Sequence, residues 1–393
     1  MKKICIVTSS RADFGLLKGL IIKMKRESEF IIKVIAAGNH FSKKYGYTYY
    51  EIKKNKIKID KKIKNYFSSD NALSISKIFS KSLFESTKIL KRIDPDLLLV
   101  LGDRYEILAS VIAANLLRIP VGHIHGGEVT SGALDDVFRH SITKMSHIHF
   151  CANKIYKNRI IQLGENPRNV HIVGGLGVES ILETKVQTKE DLEKKFKLKF
   201  LKNNLLVCFH PETINKKSTK YQIKVILSAL KKIKNKCLIF TSPGPDSENF
   251  FISQEIKKFV KKNANTYFFK SLGQLNYFSF LRHVDGVVGN SSSGILEVPY
   301  FNIGTINVGS RQTGRLMSKS IINTNFKKDK IIYSINKILS KKFKDKLKKM
   351  KKDYFYGNGG TSDKIIKILK KKNLNNIFVK HFYDQKNKNL KKI

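Results

Sequence analysis

The sequence has few of the features that mark secreted, disulfide-stabilised or membrane-spanning proteins. Among its 393 residues there are only four cysteines, and they are so far apart that they fit neither a metal-binding spacing nor a disulfide framework. No apolar run approaches the ~20 residues that a membrane-spanning helix needs. The basic amino terminus meets Arg11 and Asp13 before a signal-peptide core is complete, so we predict a first β-strand there and no export signal. These absences predict a cytoplasmic protein without a membrane partner.

Acidic residues are also scarce, because 31 aspartates and glutamates stand against 76 lysines and arginines and give a formal net charge of +45. A charge of this size is typical of proteins that bind nucleic acid. However, only eleven of the basic residues are arginines, and the lysines are spread over predicted helix faces and the tail, as on solvated surfaces. No stripe of aromatic residues offers a stacking platform for bases. We therefore expect no nucleic-acid partner.

The common cofactor motifs are missing as well. The sequence has no HEXXH pattern, no Walker pattern and no GxGxxG after the first predicted strand. We therefore predict no metal, no cofactor and no dependence on NAD. The side chains best suited to a small anion are arginines in glycine-rich or polar loops, because a guanidinium fork matches phosphate and carboxylate. These arginines are Arg11, Arg104, Arg139, Arg311 and Arg315.

Short apolar runs between turn signals alternate with helical patterns along the whole chain, which predicts parallel sheets with right-handed crossovers. A hydrophobic content of 41% is enough for real cores, and the length suits two domains. A charged helical stretch around residues 182–202 marks the boundary. We predict an α/β protein with two doubly wound, Rossmann-like domains that face a cleft. They comprise residues 1–184 and 185–372, with a last helix that is allowed to cross back to the first domain, and residues 373–393 form a basic tail.

Carboxylates, imidazoles and guanidiniums are concentrated in residues 102–140. They follow two predicted strands, residues 97–101 and 121–124, or open the next helix. Because open α/β sheets bind ligands at the carboxyl ends of their strands, these groups are expected at one edge, where they suit acid–base chemistry. The candidates in this stretch are Asp103, Arg104, His125, Glu128, Asp135 and Arg139.

Three polar turns elsewhere suit an anion. The turn of residues 9–15 precedes a helix predicted from Leu16 and contains Arg11, and residues 289–294 read GNSSSG at another strand-to-helix turn. A carboxylate at Glu297, on the helix that follows, is placed to bind ribose hydroxyls, and Arg311 lies in a third loop. Each feature has an ordinary alternative: a capped helix, a surface glutamate or an exposed loop. His210, which precedes a proline at a strand end, is equally compatible with a plain core or surface role.

Taken in order, the motifs GDRYEI, HIHGGE, DDxxRHxITK, FHPET, GNSSSG and GSRQxGR resemble the hydrolysing UDP-N-acetylglucosamine 2-epimerases of bacterial sialic acid synthesis. The resemblance runs from the SRADFG turn to the GNGGTSDKI segment near Gly357, nearly the whole chain. It implies a GT-B-like fold with the substrate in the interdomain cleft. It also implies a two-step reaction, in which loss of UDP and of the proton at carbon 2 gives 2-acetamidoglucal, and water then adds to give N-acetylmannosamine. By resemblance we expect a homodimer or homotetramer.

The resemblance also implies roles for individual residues. Asp103, Asp135 and His210 match catalytic positions of the family. Ser291, Ser292 and Glu297 match diphosphate and ribose contacts, Arg11 an amino-terminal contact to the nucleotide sugar, and Arg311 a phosphate-side arginine. Arg104, Arg139 and Asp246 are further candidate contacts to the nucleotide sugar.

One position departs from the family pattern. Several relatives read H-I-E-G-G-E with the first glutamate in a catalytic role, whereas this sequence has His125 there and retains only Glu128. The sequence leaves three alternatives open. His125 performs the proton transfer, Glu128 performs it, or this position is less essential than in the relatives.

The leading hypothesis is a hydrolysing epimerase that acts on UDP-N-acetylglucosamine and supplies sialic acid synthesis. The same chemistry on GDP-N,N′-diacetylbacillosamine, in legionaminic acid synthesis, is the nearest alternative. A glycosyltransferase of the same architecture is a second class, although the clustered carboxylates argue against it. A basic RNA-binding protein is a third and predicts a steep salt dependence of affinity.

Overall fold

The computed structural model describes residues 1–42, 47–64, 72–130, 134–212, 218–242, 249–350, 355–375 and 377–385. The chain divides into two compact units. The first comprises Met1–Val129, Ala133–Ser180 and Tyr356–Ile393, and the second comprises Thr130–Gly132 and Ile181–Phe355. Within the described ranges, no helix has both the length and the apolar character that crossing a bilayer requires.

The first unit is built on a parallel sheet with strand order β3-β2-β1-β4-β5-β6-β7. Its strands are β1 (Lys2–Thr8), β2 (Phe30–Ala37), β3 (Lys61–Ile63), β4 (Leu97–Leu101), β5 (Val121–Ile124), β6 (Ile148–Cys151) and β7 (Val170–Ile172). Its helices are α1 (Arg11–Met24), α2 (Tyr49–Lys54), α3 (Ala72–Ile93), α4 (Tyr105–Leu116), α5 (Leu134–Lys144), α6 (Lys154–Gln162), α7 (Leu176–Glu183) and α15 (Thr361–Lys371).

Strand β4 shows why apolar runs without polar alternation become central strands here. All five of its residues are buried. Leu99 belongs to a core cluster with α1 and α15, whereas Leu98 and Val100 belong to a second cluster with α3 and α4. Successive side chains of a strand point to opposite faces, so a sheet that is covered on both faces needs apolar residues at every position.

The second unit repeats this architecture with a parallel sheet of order β10-β9-β8-β11-β12-β13. Its strands are β8 (Asn203–Cys208), β9 (Lys236–Thr241), β10 (Thr266–Phe269), β11 (Gly286–Gly289), β12 (Gly304–Val308) and β13 (Ile321–Thr324). Its helices are α8 (Lys189–Phe196), α9 (Thr219–Lys231), α10 (Asn249–Lys262), α11 (Gly273–His283), α12 (Ser293–Leu296), α13 (Lys328–Leu339) and α14 (Lys341–Lys349).

Both sheets have a point at which the strand order reverses, between β1 and β4 in the first unit and between β8 and β11 in the second. The loops after these strands diverge and leave a crevice at the carboxyl edge, which is where open α/β sheets bind ligands. The loops after β4, β8 and β11 contain Asp103, His210 and Ser291 close to their strands, and Arg11 is the first residue of α1, which follows β1. The topology therefore puts candidate residues of each unit at that unit's switch point.

The prediction of an α/β protein with two parallel-sheet domains is confirmed. The two units divide at residues 180 and 181, where the sequence analysis put 184 and 185. The segment from Tyr356 onward, which includes α15, lies in the first unit. Strand β13 and helix α14 were not predicted, because one is short and the other is dominated by lysines.

Part of the predicted basic tail packs against the first unit. The Lys380 ammonium donates to the backbone carbonyls of Lys144 and Ser146, each at 2.6 Å, and to the Glu165 carboxylate at 2.9 Å. The Phe378 ring stacks on His147 with a centroid distance of 5.0 Å. Lys380 and Phe378 thus attach this part of the tail to the first unit near the end of α5.

Buried imidazoles make the stability of the fold depend on pH. Burial lowers the pKa of His123 from 6.5 to about 3 and that of His147 from 6.5 to about 4. Above the ordinary pKa of 6.5 neither state binds these protons, whereas between 6.5 and about 4 only the unfolded chain does. We therefore expect the free energy of unfolding to fall as the pH decreases below 6.5, by up to about 1.4 kcal/mol per pH unit for each such histidine.

Urea denaturation at pH 7.5, 6.5, 5.8 and 5.2 measures this slope. His147→Asn should flatten this slope because it removes the titrating imidazole. Asparagine retains an acceptor for the Val121 N–H, which lies 3.1 Å from His147 Nδ1. His381→Asn, at an exposed position, is the matched control and should leave the slope unchanged. An unchanged slope in His147→Asn as well would contradict the assignment.

Candidate active site

The turn after β1 is capped internally by a carboxylate. Asp13 accepts hydrogen bonds from the N–H groups of Ser9 (2.8 Å) and Ser10 (2.9 Å) and from the Thr8 hydroxyl (2.9 Å). Together with Ser10 it forms a capping box, so α1 begins at Arg11 rather than at the predicted Leu16. The amides of Ser9 and Ser10 thus bind Asp13, which favours the alternative of a capped helix over an anion site at these two groups. What the turn presents is the exposed Arg11, 3.9 Å from Glu51.

The guanidinium of Arg139 joins several polar groups of the first unit. It is almost completely buried, with 3% of its side chain exposed. It forms an ion pair with Asp103, donates to Asp136 Oδ1 at 3.1 Å, and donates to the Glu128 backbone carbonyl at 3.1 Å. The loops after β4 and β5 and the first turn of α5 therefore meet at one cation. Its predicted contact with the nucleotide sugar stays a prediction.

The structure distinguishes the two aspartates at the start of α5. Asp136 contacts Arg139 and lies 3.6 Å from His140 Nε2, whereas Asp135, the residue predicted from the sequence, is exposed. In the sequence, Asp136 was recognised only as a member of the polar group that opens this helix, and the catalytic role was assigned to Asp135. The spacing of three residues between Asp136 and Arg139 on a helix was the available signal for their contact.

Arg104 is paired locally. Its Nη2 and Nε donate to the two carboxylate oxygens of Glu106, at 2.8 and 3.1 Å, in a bidentate arrangement. Glu106 is buried at the start of α4. The Arg104 guanidinium thus binds a carboxylate of its own chain. Its predicted role in binding the nucleotide sugar remains a prediction.

His125 and Glu128 lie together after β5. His125 Nδ1 is 2.8 Å from Glu128 Oε1, and the N–H of Leu176 lies 3.4 Å from His125 Nε2. The His125 backbone has a φ of 67°, in the left-handed region that residues other than glycine rarely adopt. Both side chains are mostly buried, with 15% of His125 and 7% of Glu128 exposed.

In the second unit, Asn290 joins the loops after β8 and β11. Its side-chain oxygen accepts from the His210 N–H at 2.7 Å, and its side-chain nitrogen donates to the His210 carbonyl at 2.9 Å. Burial and the nearby charge of Arg311 lower the pKa of His210 to about 3, so its imidazole is neutral near pH 7. Asn290 was read from the sequence only as part of the GNSSSG turn, and its clamp on His210 was not predicted.

Glu212 holds the third candidate loop. Its carboxylate accepts from the N–H groups of Ser310 (2.7 Å) and Arg311 (2.9 Å) and from the Ser310 hydroxyl (3.1 Å). Arg311 Nη1 in turn donates to the Asn290 carbonyl at 3.2 Å. His210, Ser291 and Arg311 are thus at one edge of the second sheet. Glu212 follows His210 by two residues in the FHPET motif, and that proximity was the signal for it.

The helix after β11 is shorter than predicted. Helix α12 has four residues and is capped by Glu297, because a separate 3-10 turn begins at Val298 and has Pro299 in its first turn. A helix of one turn provides little dipole, so the argument for the diphosphate now rests on the partly buried Ser291 and Ser292 and on Arg311. Burial raises the pKa of Glu297, and the Ser293 hydroxyl donates to it at 2.5 Å. Ser293 also lies 2.5 Å from the Tyr277 hydroxyl.

Asp246 and the loop around it lie outside the described residues, so its predicted contact stays a prediction. Among the residues that the structure covers, no three His, Cys, Asp or Glu side chains are arranged to hold a metal ion.

Glu212→Ala should destabilise the second unit and displace the Arg311 loop, because it removes the acceptor of three hydrogen bonds in a buried place. The expected loss is about 1–3 kcal/mol in the free energy of unfolding, measured by urea denaturation. Glu212→Gln, which keeps one acceptor oxygen, should lose less, and Glu190→Ala at an exposed position of α8 should lie near wild type. Equal stability of Glu212→Ala and Glu190→Ala would show that the loop does not depend on Glu212.

Comparison with known proteins identifies the family. The family profile for UDP-N-acetylglucosamine 2-epimerase matches residues 22–370. The chain is 39% identical over 385 residues to a GDP/UDP-N,N′-diacetylbacillosamine 2-epimerase (hydrolyzing) of Campylobacter jejuni, covering 98% of this chain and 99% of that protein. It is 36% identical over 387 residues to the polysialic acid biosynthesis protein P7 of Escherichia coli, covering 98% of both.

The fold is similar to that of the UDP-GlcNAc 2-epimerase from Neisseria meningitidis, solved bound to UDP-GlcNAc. The TM-score is 0.80 at 18% identity, and the match covers 94% of this chain and 100% of that one. A match at this identity concerns the fold alone, whereas the family profile and the two relatives extend over nearly the whole sequence. The chain therefore belongs to the UDP-N-acetylglucosamine 2-epimerase family and is a hydrolysing 2-epimerase.

Proposed function

We propose that this enzyme removes the nucleoside diphosphate from a nucleotide-linked 2-acetamido sugar by elimination, and that it then hydrates the product to the free 2-epimer. The supporting observation is the pair of candidate sites: proton-transfer groups cluster around Arg139 in the first unit, and donors for an anion cluster around Asn290 in the second. The two clusters correspond to the two demands of an elimination, a proton acceptor and stabilisation of the leaving group.

In the first unit, Asp103 and Asp135 are proposed to serve proton transfer at the sugar ring. The ion pair with Arg139 holds the Asp103 carboxylate in place. Asp135 is exposed on the first turn of α5.

In the second unit, Arg311 and Ser291 are proposed to bind the diphosphate. Guanidinium and hydroxyl donors suit its oxygens, and the charge of Arg311 offsets the negative charge that develops as the bond to carbon 1 breaks. The neutral His210 adjoins them and is proposed to act on the sugar or its leaving group. Ser292 and Glu297 are proposed to contact the nucleotide, Glu297 through the ribose hydroxyls.

Two sugars are candidates for the substrate. The relative with 39% identity is named for GDP- or UDP-linked N,N′-diacetylbacillosamine, which makes that sugar our first candidate. The motifs resemble enzymes that act on UDP-N-acetylglucosamine, and the Escherichia coli relative is named for polysialic acid biosynthesis, which supports UDP-N-acetylglucosamine and the route to sialic acid as the second. The two sugars differ at carbons 4 and 6, away from the reacting carbon 2.

Turnover on both sugars tests the proposal. Incubation in deuterated water should release the nucleoside diphosphate and a free 2-epimer with deuterium at carbon 2, detected by proton NMR. The preferred substrate should have a kcat/KM at least tenfold above that of the others among GDP- and UDP-diacetylbacillosamine and UDP-N-acetylglucosamine. Release of a product without deuterium at carbon 2 would falsify the elimination mechanism.

Substitutions test the division of roles. Asp103→Asn and Asp135→Asn should lower kcat by about 10²–10⁴-fold and leave binding of the nucleoside diphosphate nearly unchanged. Arg311→Ala and Ser291→Ala should instead weaken that binding, by about 10–100-fold for the arginine. Asp384→Asn and Arg282→Ala, both at exposed positions, are the matched controls. Calorimetric titration and steady-state kinetics separate the two effects, and normal turnover of both aspartate variants would overturn the assignment.

A further inference from the structure

The structure bears on the position where this chain departs from the motif of its relatives. His125 stands where several relatives have a glutamate, and its imidazole lies against the second acidic residue of the motif, Glu128, with 2.8 Å between Nδ1 and Oε1. A base that is oriented by a carboxylate on its other ring nitrogen is a recurring arrangement for proton transfer. The substitution of histidine for glutamate therefore occurs together with a partner that can orient it.

The hydrogen bonds of the ring define its tautomer. A carboxylate only accepts hydrogen bonds, so Nδ1 carries the proton and donates it to Glu128. The N–H of Leu176, the first residue of α7, points at Nε2 from 3.4 Å, and a donor there requires a lone pair on Nε2. Both contacts favour the same neutral form, in which Nε2 is free of a proton. The 3.4 Å contact is long, so the lone pair is only weakly engaged.

Glu128 is held from its backbone side. Its carbonyl accepts from Arg139 Nη1 at 3.1 Å, and Arg139 is fixed by Asp103 and Asp136. The orientation of the imidazole is therefore connected to the same cation that holds the Asp103 carboxylate.

The backbone at His125 carries an energetic cost. Its φ of 67° lies in the left-handed region, which costs a residue with a side chain about 1 kcal/mol or more. The conformation sets the ring between Glu128 and Leu176 while 15% of the side chain stays exposed. Such strain is commonly retained where a side chain has a function.

We infer that His125 is the catalytic base of the elimination and that Glu128 is a positioning residue that fixes its tautomer. This inference rests on the proposed function. Nε2 takes the proton from carbon 2, the electron pair of that C–H bond forms the double bond between carbons 1 and 2, and the bond from carbon 1 to the diphosphate oxygen breaks. The diphosphate leaves with the electron pair of the broken bond between carbon 1 and oxygen, and the imidazolium is stabilised by the Glu128 carboxylate.

His125→Gly is the decisive variant, because glycine adopts this φ without strain and leaves an imidazole-sized space. The protein should fold at least as stably as wild type, and kcat should fall by about 10³-fold. Added imidazole should raise the kcat of His125→Gly at least tenfold. It should not raise the activity of wild type or of Asp103→Asn. Hydration of the supplied 2-acetamido glycal, which needs no removal of the carbon 2 proton, should stay within tenfold of wild type.

Glu128→Gln tests the positioning role with a readout that a structural role does not move. In ¹⁵N-histidine-labelled protein, the spectrum of His125 should show the Nδ1–H form in wild type and a mixture of tautomers in Glu128→Gln. The loss in this variant should appear in kcat rather than in KM, by about 10²-fold, and Glu128→Asp should recover part of it. His381→Asn, at an exposed position, serves as the control for the assignment of the spectrum.

The outcomes separate this inference from the proposed function. If wild type releases no nucleoside diphosphate from any of the three nucleotide sugars, the proposed function fails. If wild type is active and His125→Gly retains kcat within tenfold, or loses glycal hydration as severely as elimination, His125 is not the elimination base. A wild-type spectrum with the proton on Nε2 overturns the role of Glu128.

Discussion

The guanidinium of Arg139 is the interaction on which the candidate chemistry of the first unit depends. Removing a cation from water costs several kcal/mol, and a buried arginine is stable only when its donors are matched by carboxylates or carbonyls. Here two aspartates and the backbone of Glu128 provide that match. Because Asp103, Asp136 and Glu128 come from three different loops or helix ends, the requirement to satisfy one buried charge fixes three segments at once.

In the second unit, a neutral side chain and an acidic side chain fix the loops at the carboxyl edge of the sheet. Asn290 satisfies both backbone groups of His210, and Glu212 accepts from the loop that contains Arg311. Buried backbone groups outside helices and strands need partners, and side-chain amides and carboxylates can provide them. In each unit a buried polar side chain thus connects neighbouring loops at the carboxyl edge, and the residues proposed for chemistry are adjacent to it. The motifs FHPET and GNSSSG can therefore be recognised separately in the sequence, but in the structure hydrogen bonds between Asn290 and His210 join them.

Some residues that sequence reasoning offered to a ligand are engaged within the chain. The amides of the turn after β1 bind Asp13, and Arg104 forms a bidentate pair with Glu106. In both cases the carboxylate lies only two to four residues from the donors, where helix capping and short ion pairs are favourable. Donor-rich turns before helices are therefore weak evidence for an anion site when an aspartate or glutamate follows within one helical turn.

The sequence by itself determined the architecture and the chemical inventory of this protein. Short apolar runs between turn signals, such as residues 97–101, are typical of strands that are buried on both faces, and their alternation with amphipathic helices predicts parallel sheets. The order of the motifs pointed to the family, and the histidine in HIHGGE marked the position that differs. Only the tertiary structure decided which of these groups act together. Whether Asp135 or Asp136 faces Arg139, whether Arg104 is paired, and which atom of His125 meets Glu128 are set by contacts between segments. Hydrogen bonds depend on distances of tenths of an ångström, and a linear pattern specifies residue types but not those distances.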